Sequence, residues 1–195
     1  MSYRPLTAIL VAGGAAALSL GPGLRTGHGS ADPVSGNITL SAAPLTPGQP
    51  HISDSLAGKP ILTVGTSGLA VGETLTNNVV ITNQSNAPLT VTLAQQNLKA
   101  SSKVDLSAYA RLTVTDASTH AVVYSGVVSK FPAGSFTICG AAASPRTPCP
   151  PWAAGEVHTF SFSVVIPDQP GGSSISINHY QGSSFSTDYL WTSST

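Results

Sequence analysis

Alternating side chains are clearest near the end of the chain, where Phe185, Thr187, Tyr189 and Trp191 are two residues apart. In an extended strand these four side chains point to one face. Aromatic and β-branched residues suit a pleated, half-buried surface, so this run is predicted to close a β-sandwich. Another strand-like run, at 175–180, precedes it across a Gln-Gly turn. The two runs predict a C-terminal pair of strands.

The same alternation, or a short apolar run bounded by turn formers, recurs along the rest of the chain. Further strands are predicted at 35–45, 61–64, 74–82, 89–93, 112–115, 121–124 and 156–166, and Val127 and Val128 suggest the start of another. A loop is expected at 44–55, and a helical turn at 103–111 that Asp105 is placed to cap. About nine short strands with almost no helix predict an all-β fold, an antiparallel β-sandwich of the jelly-roll type.

The first residues have the plan of a secretory signal peptide. A short basic segment ends at Arg4, an apolar run follows at 6–20, and small residues come after it. Export to the extracellular space or the cell surface is therefore predicted, with cleavage between positions 19 and 31. A signal peptide at 1–31 leaves a single domain of ordinary size at 32–195.

An uncleaved membrane anchor is the alternative for this segment. The apolar run is about 15 residues long and is interrupted by Gly13 and Gly14, whereas a spanning helix needs roughly 20 residues. Contact with a membrane is expected only through the uncleaved leader.

Charged residues make up 8% of the chain, against about a quarter in typical soluble domains. Without the leader, which contains Arg4 and Arg25, six basic and eight acidic side chains remain. No basic stripe is left to bind phosphate groups, so nucleic acid is not expected as a partner. The surface must consist largely of Ser, Thr, Asn and Gln, which suits a secreted protein whose faces pack against other surfaces.

Two cysteines, Cys139 and Cys149, lie in a long segment between 129 and 155 that interrupts the regular spacing of the strands. In an exported protein, a cysteine pair at this separation predicts a disulfide. The bridge would close a loop of about 11 residues and add roughly 2.5–3 kcal/mol on the chain-entropy model. A redox or metal-binding pair is the alternative, although such sites have closer spacing or more ligands.

Residues able to carry catalysis or bind a metal are scattered rather than grouped into motifs such as HExxH or GxSxG. The histidines are His28, His51, His120, His158 and His179, and the isolated carboxylates are Asp105, Asp116, Asp168, Asp188 and Glu156. We therefore predict no catalytic, cofactor-binding or metal-binding residue, and no enzyme. A zinc site or a carboxylate pair assembled from distant positions would instead indicate a secreted hydrolase. His158 is expected to be structural, and the sequons at Asn37 and Asn83 are expected to be unmodified.

Five segments share their order and spacing with one family of bacterial proteins. They are SGNITL at 35–40, LAVGE at 69–73 leading into VVITNQS at 79–85, LTVTD at 112–116, WAAGE at 152–156 and NHYQG at 178–182. In these segments the chain resembles the TasA/camelysin family of secreted biofilm-matrix fibre proteins. The resemblance implies an exported jelly-roll subunit that assembles into fibres, with an N-terminal strand of one subunit completing the sheet of the next. The peptidase activity described for camelysin is not carried over, because the sequence offers no ligand set for it.

These features predict a secreted structural subunit of extracellular matrix fibres or pilus-like filaments. Its partner would be a second copy of the chain in a head-to-tail homopolymer, together with other secreted matrix proteins. The alternative is a monomeric cell-surface module that binds carbohydrate or protein through aromatic faces of Trp152, Tyr189 and Trp191. Against that alternative, the same three aromatics are expected to close the core.

Overall fold

Buried and more exposed side chains alternate through the strands of the computed structural model. The clearest example is β9, Val157–Val165, in which His158, Phe160, Phe162 and Val164 are buried and the residues between them are not. A period of two is what a strand with one face in a core requires. The structure describes residues 38–44, 51–64, 69, 71–101, 104–141, 149–167 and 182–195. All of these belong to one compact unit, Ala31–Thr195.

Ten strands and two short 3₁₀ helices make up the described secondary structure. The strands are β1 (Ile38–Ala42), β2 (Ile52–Asp54), β3 (Pro60–Val64), β4 (Thr74–Asn83), β5 (Thr90–Ala100), β6 (Arg111–Asp116), β7 (Ala121–Val127), β8 (Ser135–Ile138), β9 (Val157–Val165) and β10 (Phe185–Ser194). The 3₁₀ helices are Leu106–Ala108 and Val128–Lys130.

The strands form two five-stranded sheets, in the orders β3-β1-β10-β5-β8 and β2-β4-β9-β6-β7. Every strand pair is antiparallel except β1 and β10, which run parallel. Only β6 and β7 are consecutive strands that pair as a hairpin, and every other connection between the described strands passes to the opposite sheet. Such repeated crossing is typical of jelly-roll sandwiches. The all-β sandwich predicted from the sequence is confirmed.

The core lies between the inner faces of the two sheets, and aromatic side chains fill its centre. Ring centroids are 4.5 Å apart for Phe160 and Trp191, and 5.1 Å apart for Phe162 and Tyr189. These four side chains and Trp152 are each 1% exposed or less. The predicted inward face of the last strand is confirmed, and the aromatics that could have formed a ligand platform belong to the core.

Three details of the predicted elements are wrong. The expected loop at 44–55 contains β2, and the cysteine-bearing segment contains β8. Both are edge strands, of three and four residues, and are too short for a period of two to be recognised. Val128 begins a 3₁₀ helix rather than a strand, because its carbonyl accepts the N–H of Phe131.

Other local predictions are confirmed. Asp105 caps the first 3₁₀ helix, where its side chain accepts the N–H of Ser107 at 3.0 Å. The predicted hairpin is the pair β6 and β7. The signal peptide at 1–31, its cleavage site and the strand predicted at 175–180 lie outside the described residues.

Cys139 and Cys149 form the predicted disulfide, with their Cα atoms 4.6 Å apart. Cys139 directly follows β8, and Cys149 lies on the segment that leads into β9. The bridge therefore ties the end of an edge strand in one sheet to the approach to the central strand of the other. Disulfides are typical of proteins that fold in an oxidising compartment.

We expect Phe160→Ala to lower the free energy of unfolding by about 3–5 kcal/mol, because it removes a fully buried ring between the two sheets. Urea denaturation of the purified protein measures the loss. Ser161→Ala, one residue along and on the outer face, is the matched control and should change stability by no more than about 0.5 kcal/mol. Equal effects of the two substitutions would contradict this account of the core.

Candidate functional site

The edge strands are the places where a sheet can bind another chain, because their outer N–H and C=O groups have no partner within the sheet. The edges here are β3 and β8 in one sheet and β2 and β7 in the other. β2 and β8 are short, and β3 begins with Pro60. The carbonyl of Ile61 in β3 also accepts a hydrogen bond of 2.6 Å from the side-chain amide of Asn77. β7, with seven residues, is the longest of the four edges.

β7 lacks the features that usually prevent a sheet edge from pairing with another chain. Its sequence, AVVYSGV, contains neither a charged residue nor proline, and these are the residues with which exposed edges are commonly protected. Val122 is 62% exposed. Among the described strands β7 pairs only with β6. We call the outer side of Ala121–Val127 the open edge.

The side chain of Tyr124 lies along its own strand and occupies one backbone acceptor of β7. Its hydroxyl donates a hydrogen bond of 2.6 Å to the carbonyl of Val127. The ring therefore lies over Gly126, where a Cβ atom would be 2.6 Å from the hydroxyl oxygen of Tyr124. Glycine at this position lets the ring lie flat along the strand. Burial raises the pKa of the Tyr124 hydroxyl, so it remains a donor at neutral pH.

A groove separates β7 in one sheet from β8 in the other. Its volume is about 560 Å³, and its apolar walls include Val122 and Val123 from β7 and Phe136 and Ile138 from β8. We call it the β7–β8 groove. Phe131, which follows the second 3₁₀ helix, links its two sides, with ring centroids 4.7 Å from Tyr124 and 5.3 Å from Phe136.

A buried histidine lies beside the β7–β8 groove, behind the groove residue Asp116. Nδ1 of His158 is 2.6 Å from Oδ2 of Asp116, and Nε2 is 2.6 Å from Oε1 of Glu156. Each ring nitrogen thus faces a carboxylate oxygen at hydrogen-bond distance. We call these three residues the His158 cluster. The ring is fully buried and stacks on Trp152, with centroids 4.0 Å apart.

The two carboxylates join the His158 cluster to both walls of the groove. Oδ1 of Asp116 accepts the backbone N–H of Ser118 at 2.9 Å, in the turn that leads into β7. Oε1 of Glu156 accepts the backbone N–H of Ala141, three residues beyond the end of β8. A single histidine thus connects the start of one edge strand with the segment after the other.

The pKa of Glu156 is lowered from its ordinary value of 4.5. Burial alone would raise this pKa, but hydrogen bonds from the N–H of Ala141, the ring of His158 and the N–H of Ala153 together lower it. Three donors directed at one carboxylate stabilise its ionised form. The carboxylate of Glu156 is therefore ionised at neutral pH.

The three side chains of the His158 cluster hold one another in position and are not arranged around a common point. The ring lies between the carboxylates, with its two nitrogens directed away from each other, so the three side chains do not converge on one point. Within the described ranges, no group of three or more His, Cys, Asp or Glu side chains is arranged to hold a metal ion. Both ring nitrogens of His158 are in contact with a carboxylate, and the ring is fully buried.

The remaining predicted chemical residues do not join this site. His51 and His120 lie in turns, and Asp188 accepts a hydrogen bond of 2.8 Å from Asn97. The side-chain amide of Asn83 is buried and donates to backbone carbonyls, which leaves its sequon inaccessible. His28, His179, Asn37 and Asp168 lie outside the described residues.

Comparison with known proteins does not assign the chain to a family. No protein-family model matches it, and no curated protein sequence matches it. In the part of the chain that the structure describes, no helix is long and apolar enough to cross a membrane. The open edge, the β7–β8 groove and the His158 cluster are therefore interpreted from their own geometry.

We expect Glu156→Gln to lower the free energy of unfolding at neutral pH and to make stability less sensitive to acid. Because the pKa of Glu156 is lower in the folded chain than in the unfolded one, its contribution is complete above the unfolded value of 4.5. The contribution is lost as the pH falls through the folded-state pKa. Urea unfolding at a series of pH values from about 7 to about 3 measures this dependence.

The control is Ser161→Ala, a substitution on the outer face of β9 that leaves every carboxylate in place. Its stability should follow that of the unsubstituted protein across the acid range. If Glu156→Gln showed the same acid dependence as the unsubstituted protein, Glu156 would not have the lowered pKa that this network implies.

Proposed function

We propose that the chain is a secreted structural subunit of extracellular matrix fibres or pilus-like filaments, in which copies join by adding a strand to a sheet edge. The observation that carries the proposal is the open edge. It is the longest described edge, it has no charge or proline, and it is bordered by an apolar groove. This combination favours pairing with another chain.

Strand addition satisfies the physical needs of both partners. The unpaired N–H and C=O groups of β7 gain hydrogen bonds, while alternate side chains of the incoming strand enter the β7–β8 groove. The donor segment on one copy differs from the acceptor edge on the next, so the contact is heterologous. A heterologous contact that does not close into a ring extends into a filament.

The strand that enters a neighbouring copy is not β1 in its present position. β1 already pairs with β3 on one side and with β10 on the other, within its own chain. The resemblance to the TasA/camelysin family implies a donor close to the N-terminus. On this proposal the donor residues lie before Ile38, or β1 leaves its own sheet during assembly.

Composition and covalent structure support an extracellular role. The disulfide between Cys139 and Cys149 fits folding in an oxidising environment. A charged fraction of 8% leaves few side chains to repel neighbouring copies. The rival proposal, a monomeric module that binds ligands on aromatic faces, loses its stated basis because Trp152, Tyr189 and Trp191 are buried.

We expect Val122→Lys to suppress fibre formation without unfolding the subunit. Val122 is 62% exposed, so the monomer tolerates a lysine there, but the charge would have to be buried beside an added strand. Electron microscopy and sedimentation of the purified exported protein should show dispersed monomers, or a critical concentration raised by about tenfold or more.

The matched control is Val157→Lys, which places the same charge on the outer face of β9, where the exposed fraction of Val157 is 49%. Val157 pairs with Thr82 of β4 and does not belong to the open edge, so this variant should form fibres normally. Failure of the unsubstituted protein to form fibres under all assembly conditions, including with other secreted proteins from the same source, would refute the proposed function. Normal fibres from Val122→Lys would place the contact elsewhere.

A further inference from the structure

The disulfide lies directly beside the proposed assembly site. Cys139, Gly140 and Ala141 line the β7–β8 groove as a continuation of β8. The N–H of Gly140 donates to the carbonyl of Pro150 at 2.9 Å. A Cβ atom at position 140 would be only 2.7 Å from the carbonyl oxygen of Pro151, so the two segments joined by the bridge are in close contact. The bridge fixes this wall of the groove.

The same wall is connected to the open edge through a continuous series of contacts. Ala141 donates to Glu156, and Glu156 and Asp116 hold the two sides of the His158 ring. Asp116 in turn accepts from Ser118 in the turn before β7. A shift of the segment after β8 can therefore change the position of the start of β7 through the contacts of five residues.

A second connection passes through the stacked aromatic side chains. Nε1 of Trp152 donates to the carbonyl of Ile138, the last residue of β8, at 3.0 Å. The Trp152 ring stacks on His158. Trp152 is three residues beyond Cys149, so the bridge also restrains the position of this ring. Both connections begin at the disulfide and meet at the His158 cluster.

We infer that assembly is coupled to the oxidation state of this bridge, so that the chain polymerises only after Cys139 and Cys149 have been joined. The inference rests on the proposed function and concerns its regulation. On oxidation the two thiols lose two protons and two electrons to a protein disulfide, which is reduced to a dithiol as the S–S bond forms. In the reduced chain the wall formed by Cys139–Ala141 is held only by hydrogen bonds, and the groove no longer keeps the shape that an incoming strand requires.

This coupling would prevent assembly before export. A chain in a reducing compartment keeps its thiols and has a poorly shaped groove, even though its open edge is present. After export, oxidation completes the groove next to β7. The bridge would thus act as a compartment-dependent control on an edge that carries no protective charge.

The test compares the oxidised chain with the same chain reduced by dithiothreitol and with the double variant Cys139→Ser, Cys149→Ser. Critical concentrations are measured by sedimentation, and amide hydrogen exchange is measured on each form below its assembly concentration. We expect the reduced and double-serine forms to stay folded, with faster exchange confined to β7, β8 and Gly140–Ala141. Their critical concentrations should rise by about tenfold or more.

Each other outcome overturns a defined part of the argument. If oxidised and reduced chains assemble equally well, the coupling is wrong while the proposed function stands. If the reduced chain unfolds throughout, the bridge is a general stabiliser and the coupling is also wrong. If the oxidised chain does not assemble, the proposed function fails first. Glu156→Gln keeps the bridge and the contact of Trp152 with Ile138, so it should weaken assembly less than loss of the bridge does; a larger effect than that of the double-serine variant would contradict the coupling.

Discussion

The unpaired backbone at the edges of the two sheets is the constraint on which this structure depends. A two-layer sandwich has four edges, and each must be short, covered or blocked if the protein is to stay monomeric. Three of the edges meet that condition. The strands β2 and β8 are short, and in β3 Pro60 lacks an N–H while Asn77 occupies a backbone carbonyl. β7 does not meet the condition, since it is longer, uncharged and bordered by an apolar groove. The proposed function follows from this difference between the edges.

Burial of the His158 cluster costs solvation free energy. Placing a histidine ring and two carboxyl groups in a sandwich interior requires desolvation, which only close pairing and additional hydrogen bonds can offset. Asp116 and Glu156 each accept backbone N–H groups besides contacting the ring. These bonds hold the turn before β7 and the segment after β8, and a buried polar network of this kind specifies one arrangement more strongly than apolar contacts alone. The two walls of the groove are thereby held in a fixed position relative to each other.

The fold could be predicted where burial imposes a pattern, and only there. The strands that supply Phe160, Tyr189 and Trp191 were predictable because one face of each enters the core. β2 and β8 were not, since strands of three and four residues show no period. The His158 cluster depends on the register of β6 with β9, which pairs Asp116 with Phe160 and places its carboxylate beside His158. No local pattern reveals that register, or that β7 would be an edge.

The central claim is that β7 is the acceptor for a strand from a neighbouring copy. Amide hydrogen exchange, measured residue by residue on the monomer and on assembled fibres, tests it most directly, because a new strand must protect the outward N–H groups of β7. A large gain in protection is predicted for alternate residues of Ala121–Val127, with little change in the part of β9 from Phe160 to Val165, which already pairs with both β4 and β6. Fibres in which β7 exchanges as fast as in the monomer would contradict the claim.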